Sequence, residues 1–208
     1  MPSSGKINGS AIGRKIVKLE PRFSEVVERF GPCPIGTKPS KISNFASLAE
    51  SIIGQQLSIK AADTIIGRVS ELAGDKLDPK KLAKVSINSL RNAGCSATKA
   101  RAVKELADSV NSGALNLRTI ARKSDEDIYQ TLLPLYGVGR WTVDMFMIFQ
   151  IGKIDIWPIG DLGVKRGWEK VHCLEDEISP SELQIAGDRF RPFRSHLAWY
   201  CWRAHSIY

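Results

Sequence analysis

Leu132-Leu133-Pro134-Leu135-Tyr136-Gly137-Val138-Gly139-Arg140-Trp141-Thr142-Val143, with Asp161 further on in Pro158-Ile159-Gly160-Asp161, is the most informative segment of the chain. A short helix runs into a Gly-x-Gly turn, and a second helix leaves it. Amides exposed at that second N-terminus carry partial positive charge and favour a phosphate. The glycines are expected to supply φ > 0 and a close backbone approach that a Cβ would block. Gly137, Val138, Gly139 and the Thr142 amide thus form a candidate phosphate clamp, with Lys165 and Arg166 as cationic support. The carboxylate that follows completes the minimal set of groups for chemistry on a nucleic acid.

Outward from this stretch the periodicity is helical. Phe45, Leu48, Ala49, Ile52 and Ile53 fall at i, i+3, i+4, i+7 and i+8, a broad apolar face. Ile59, Ala62, Ile66, Val69 and Ala73 repeat the pattern, with Gly74 as the stop. Ala100, Val103, Ala107 and Val110 form a third stripe, opened by Ser96 and closed near Gly113. Ser124 with three acidic residues behind it, and Ser179-Pro180-Ser181-Glu182, read as helix starts. A last apolar helix spans 193–205. Ile154-Asp155-Ile156-Trp157 alternates like a strand but meets Pro158 at once. The chain is therefore read as all-α with about eight to ten helices, and no fixed repeat suggests a solenoid.

Residues 1–18, rich in Ser, Gly and Lys, read as a flexible tail, leaving 19–208 as the folded domain. The 208 residues suffice for a sizeable core. Thirty Lys and Arg against 22 Asp and Glu give a net charge of +8, which fits a polyanionic partner. No apolar run reaches the ~18–20 residues of a membrane span, and the N-terminus lacks the apolar stretch of a secretory signal. Cys33, Cys95, Cys173 and Cys201 are scattered, which argues against zinc or a four-cysteine iron–sulfur loop and for a reducing compartment. His172, His196 and His205 have no metal-ligand spacing.

The hairpin with its downstream Asp161 resembles the helix-hairpin-helix DNA glycosylases, and within them the alkylpurine (3-methyladenine) enzymes. Three further blocks in family order carry the likeness: Phe45–Ala62 with its Gly54-Gln55-Gln56-Leu57-Ser58 centre, Gly94-Cys95-Ser96-Ala97-Thr98-Lys99-Ala100, and Arg191-Pro192-Phe193-Arg194-Ser195 running into Ala198–Arg203. The resemblance implies two helical lobes, both termini in one of them, and excision of 3-methyladenine or 7-methylguanine from duplex DNA.

It also implies roles. Asp161 becomes the catalytic carboxylate, stabilising the oxocarbenium ion that forms as an N-glycosidic bond breaks. A helix N-cap is its other reading, and the two are compatible. Trp141 stands where relatives that also cut the strand carry a Schiff-base lysine, so the enzyme should be monofunctional. Its indole either stacks a cationic purine or packs the second hairpin helix. Gln55, Gln56, Leu57 and Ser58 would be the wedge and minor-groove probe that fill the gap left by a flipped base, or else a polar interhelical turn. Ser58 replaces the longer histidine of some relatives. Trp157 either lines or narrows the base pocket, and His196 also sits where small residues are common. The carbonyls of Leu133, Leu135 and Val138 match a family site for Na+ or K+; no other cofactor is expected. Lys60, Lys80, Lys81 and Lys99 read as solvated surface. A monomer working in the nucleus on alkylated or abasic duplex is the expected whole. The departures at Ser58, Trp157 and His196 keep open a non-catalytic binder of damaged or abasic DNA. A nonspecific tether in a larger assembly is the remaining alternative.

Overall fold

The computed structural model describes residues 7–207, and every regular element among them is helical. The chain opens with α1 (Gly9–Leu19) and α2 (Ser24–Phe30). It continues through α3 (Asn44–Gly54), α4 (Ile59–Leu72), α5 (Pro79–Leu82), α6 (Ile87–Asn92), α7 (Ala97–Asn111), α8 (Asp125–Leu132) and α9 (Arg140–Met145). It closes with α10 (Leu162–His172), α11 (Pro180–Asp188) and α12 (Arg194–His205). The helices outnumber the expectation because α5 and α6, at 4 and 6 residues, are too short for a period to register.

Six of the helices start in the same way. Ser43, Ser58, Ser86, Ser96, Ser124 and Ser179 each accept a hydrogen bond from the amide three residues on, satisfying a donor the helix itself cannot. At Ser179 the Glu182 side chain bonds back, closing a reciprocal box.

The tail expected over 1–18 needs correction. Residues 1–6 lie outside the described residues, but Gly9–Leu19 form α1, capped by Asn8, whose Oδ1 accepts from the Ala11 amide at 3.0 Å. Ile12 and Ile16, four apart, give this helix a buried face that the Ser, Gly and Lys composition obscured.

The chain divides into two compact units: the residues up to Pro39 together with Met147 onward, and Ser40–Phe146. In the first, α10 packs on α12 with backbones in contact; a methyl group on Gly167 would lie 1.8 Å from the Cys201 carbonyl oxygen. Phe23, Trp168 and Phe190 fill the core, and Trp168 stacks on His172 at 4.0 Å. His196 is wholly buried there, with neither ring nitrogen hydrogen-bonded, and burial pushes its pKa down to about 4. In the second unit α3 is central, burying Phe45, Leu48, Ala49, Ile52 and Ile53, and packs against α4 and α7. The stripe expected on α4 holds only at its far end: Val69 and Ala73 are buried, while Ile59 is 82% exposed.

Candidate functional site

In the second unit α3 ends at Gly54, and the chain turns at once into α4. The Leu57 amide donates to the Gly54 carbonyl at 3.2 Å. Gln55 has φ −48° and ψ 131°, and Gln56 has φ +56°. This is a type II turn, whose third position ordinarily takes glycine or asparagine. The exposed Gln56 is thus held in a conformation costing about 1–2 kcal/mol for a residue with a Cβ. Strain of this kind gathers at functional sites.

Gln55 and Gln56 play different parts. The Gln55 side chain is turned onto the hairpin, its Nε2 donating to the Gly137 carbonyl and to Thr142 Oγ1, both at 3.0 Å. It bolts the turn to the hairpin, while Gln56 and Leu57 project outward. Ser58 caps α4, its Oγ accepting from the Ala61 amide at 3.3 Å. A minor-groove role for that hydroxyl competes with the cap. Lys99, expected as solvated surface, instead donates from Nζ to the Ile53 and Gln55 carbonyls at 2.9 and 2.6 Å.

The two hairpin glycines differ. Gly137 has φ +76°, and a methyl group there would stand 2.7 Å from Cβ of Ala102. Gly139 has φ −96° and ψ 169°, which any residue adopts, and a Cβ there would meet open space. The expectation that both need φ > 0 is corrected. Gly139 is the N-cap of α9 and has no side chain with which to cap it. Val138 leaves the proposed clamp as well: its amide donates to the Leu135 carbonyl at 3.1 Å, and its side chain is buried. Trp141 is 44% exposed, which removes its reading as a core residue. With Gln55, Gln56, Gly137, Gly139 and Thr142 it lines an open pocket of about 500 Å³. Arg101 stacks over Tyr136 at 4.0 Å and Arg140 over Tyr129 at 4.4 Å, bracing the hairpin with cations.

The first unit carries Asp161. The segment leading to it is pinned by α12: Arg194 Nε donates to Asp155 Oδ1 at 2.8 Å, the Ile156 amide to Ser195 Oγ at 2.9 Å, and Ser195 Oγ to the Lys153 carbonyl at 2.7 Å. This is the physical work of the Arg191–Ser195 block. Asp161 is the N-cap of α10 and 8% exposed. Its Oδ1 accepts from the Val164 amide at 2.8 Å and from the Trp202 indole N–H at 2.7 Å. Trp202 in turn packs on Phe149, ring centroids 5.4 Å apart. Phe149 is 55% exposed, so an accessible aromatic surface adjoins the carboxylate.

Neither Phe149 nor Trp202 stands out in the sequence. Phe149 belongs to an apolar run in which Phe146, Met147 and Ile148 are buried. The run is π-helical from Phe146 to Ile151, which breaks the α period and turns Phe149 out; such turns recur at functional sites. Trp202 lies one turn beyond the buried Trp199 in an apolar-rich helix.

One proposed site residue is relocated. Trp157 is a core residue, its indole N–H donating to the Leu183 carbonyl at 2.9 Å and its ring set edgewise on Trp168, so it does not present a pocket wall. His196, buried as described, is core too. Lys165 is committed to Glu177 at 2.7 Å, and Arg166 bridges Glu177 and Glu169 at 2.6 and 3.1 Å, which occupies the cations expected to support a phosphate. Among the described residues no group of three His, Cys, Asp or Glu forms a metal site, and no helix is long and apolar enough to cross a membrane.

The chain as a whole is similar to known proteins. A DNA-3-methyladenine glycosidase from Bacillus halodurans is 32% identical and superposes with a TM-score of 0.82, covering 95% of this chain and 90% of that one. The 3-methyladenine DNA glycosylase of Schizosaccharomyces pombe, solved in complex with abasic DNA, is 25% identical with a TM-score of 0.81 over 92% of this chain and 95% of that one. The alkylbase DNA glycosidase-like protein mag2 of the same yeast is 24% identical over 94% of this chain and 93% of its own. A family model matches residues 49–192, and the chain belongs to the HhH-GPD superfamily of base excision DNA repair proteins.

Proposed function

We propose that this protein is a monofunctional DNA glycosylase that removes alkylated purines, 3-methyladenine and 7-methylguanine among them, from duplex DNA. The observation that carries the proposal is Asp161, fixed at the head of α10 by the Val164 amide and by the Trp202 indole, on which the exposed Phe149 packs. A purine alkylated on the ring carries positive charge, stacks well on electron-rich aromatic faces and leaves readily. Its C1′–N bond breaks with the electron pair going to the base. The carboxylate stabilises the cationic sugar, and water adds at C1′ with loss of a proton. Asp161 can serve without a dedicated acid because the leaving group is already cationic.

The second unit supplies DNA handling. The amides of Gly139 and the first turn of α9 bind a backbone phosphate, and Gln56 with Leu57 enters the space a flipped nucleotide vacates. With Trp141 where a Schiff base would need lysine, the product is an intact strand bearing an abasic site. The carbonyls of Leu133, Leu135 and Val138 are three uncharged oxygen donors, a set suited to Na+ or K+ and poor for a transition metal. The protein acts as a monomer and, given its substrate, in the nucleus.

A second reading, a binder of damaged or abasic DNA without excision, is favoured by one observation: the Ser58 hydroxyl is spent on capping α4. The discriminating experiment measures base release from methylated duplex and affinity for abasic duplex, in wild type and Asp161→Asn. Release by wild type that Asp161→Asn abolishes, with binding retained, supports the glycosylase. Tight abasic binding with no release by wild type supports the binder and ends the enzymatic proposal.

A further inference from the structure

We infer that Lys99 is a positioning residue that sets which way the Gln55–Gln56 peptide faces, and through it where Gln56 is aimed. The inference rests on the reading of Gln56 as the residue inserted into DNA. Its physical basis lies in the turn itself. Type I and type II turns differ chiefly by a flip of the central peptide; type II places the third residue at φ near +80°, type I near −90°. The carbonyl of that central peptide is the Gln55 carbonyl, and Lys99 Nζ holds it at 2.6 Å. The same ammonium donates to the Ile53 carbonyl at 2.9 Å. Two charge-assisted bonds from one cation fix the flipped peptide, and with it the φ of +56° at Gln56.

Three further features agree. First, α3 ends without the left-handed glycine that commonly satisfies a helix's last carbonyls, so the lysine takes that role. A cation there also complements the dipole of α3. Second, Lys99 occupies the first turn of α7, the unfavourable end of its own helix for a positive charge, and its contacts with α3 offset that placement. Third, the other end of Gln55 is anchored by its side chain to Gly137 and Thr142. Gln56 is then the one residue of the pair left to project. Without Lys99, the turn relaxes toward type I, relieving the strain at Gln56 and redirecting its side chain.

The test reads backbone geometry and DNA selectivity separately, with Lys99→Met, Lys99→Arg and Gln56→Ala in the full chain. Backbone chemical shifts of Gln56 should lie in the left-handed range in wild type and leave it in Lys99→Met. Affinity for a duplex with a tetrahydrofuran abasic analogue should fall about tenfold in Lys99→Met, while intact-duplex affinity stays within about twofold. Lys99→Arg should recover most of the loss. In a Gln56→Ala background the Lys99→Met loss should vanish, because both act through one side chain. Should Lys99→Met unfold at the assay temperature, Lys99→Gln, which keeps a donor but not the charge, takes its place. Unchanged Gln56 shifts, equal losses on both duplexes, or additive effects in the cycle overturn the inference. Altered shifts in a protein whose wild type shows neither abasic preference nor base release would instead overturn the functional reading alone.

Discussion

The two glycines of the hairpin should respond oppositely to the same added methyl group. In Gly137→Ala the new Cβ is forced into a left-handed backbone, at about 1–2 kcal/mol. It also stands 2.7 Å from Cβ of the buried Ala102, where carbon atoms prefer about 3.5–4.0 Å. Overpacking of that kind costs about 1–3 kcal/mol, so the total is about 2–5 kcal/mol. In Gly139→Ala the backbone suits alanine and the methyl group meets open space. The remaining cost is that of a poorer N-cap residue, about 0.5–1 kcal/mol. Yet the methyl group is added at the N-cap of α9, beside the proposed phosphate site.

Urea denaturation of both variants, with anisotropy titrations on intact and abasic duplexes, separates the two effects. Gly137→Ala should lose most of its stability margin. Gly139→Ala should fold nearly as wild type while binding every duplex about tenfold or more weakly, since a lost phosphate contact carries no sequence information. Equal destabilisation by the two substitutions would refute the geometric argument. A Gly139→Ala protein with wild-type DNA affinity would refute the phosphate site.

Two further outcomes are expected. Trp202→Phe keeps the ring packed on Phe149 but removes the indole donor to Asp161; a hydrogen bond to a charged group is worth about 1.5–3 kcal/mol. Single-turnover excision should slow by about tenfold or more with abasic-DNA affinity held within about twofold, and an unchanged rate would show that the bond does not orient the carboxylate. His196 is neutral and buried in the fold with its pKa near 4, whereas the unfolded chain takes up its proton near 6.5. Stability from this group is therefore complete above pH 6.5 and is lost as the pH falls toward 4. Linkage gives about 2 kcal/mol between pH 8 and pH 5. Urea unfolding of wild type and His196→Leu across that range should diverge by this amount, and parallel curves would mean that the histidine's pKa is not lowered in the fold.

Much of the fold is legible in the sequence because its signals are local. Six serine caps and the apolar face of α3 need only neighbours three or four residues away. The places where reading failed share the opposite property. Trp157 and Trp202 are the same residue type in similarly apolar surroundings; one is core because its N–H meets the Leu183 carbonyl, the other adjoins Asp161 because its N–H meets that carboxylate. Lys165 looks available for phosphate until Glu177, twelve residues on, claims it. Composition hid α1, and a π-helical shift hid Phe149, because the period that reveals a helix face was either diluted or broken.

The site itself illustrates why family blocks extend beyond the chemistry. Neither Arg194 nor Ser195 adjoins Asp161 in sequence, yet both hold the segment that carries it. Lys99 is far along the chain from Gln56 but fixes the peptide before it. Both of these loops are irregular, and irregular backbone leaves carbonyls and amides that regular structure would have satisfied. In each case a side chain from a neighbouring helix satisfies them, so the helix that looks like scaffold determines the loop's conformation. A substitution in such a helix should therefore alter DNA selectivity or excision before it alters the fold, whereas one in the α10–α12 contact at Gly167 should do the reverse. Resemblance spread over Gly94–Ala100 and Arg191–Ser195 has its physical cause there: these blocks constrain the geometry of the proposed reacting parts.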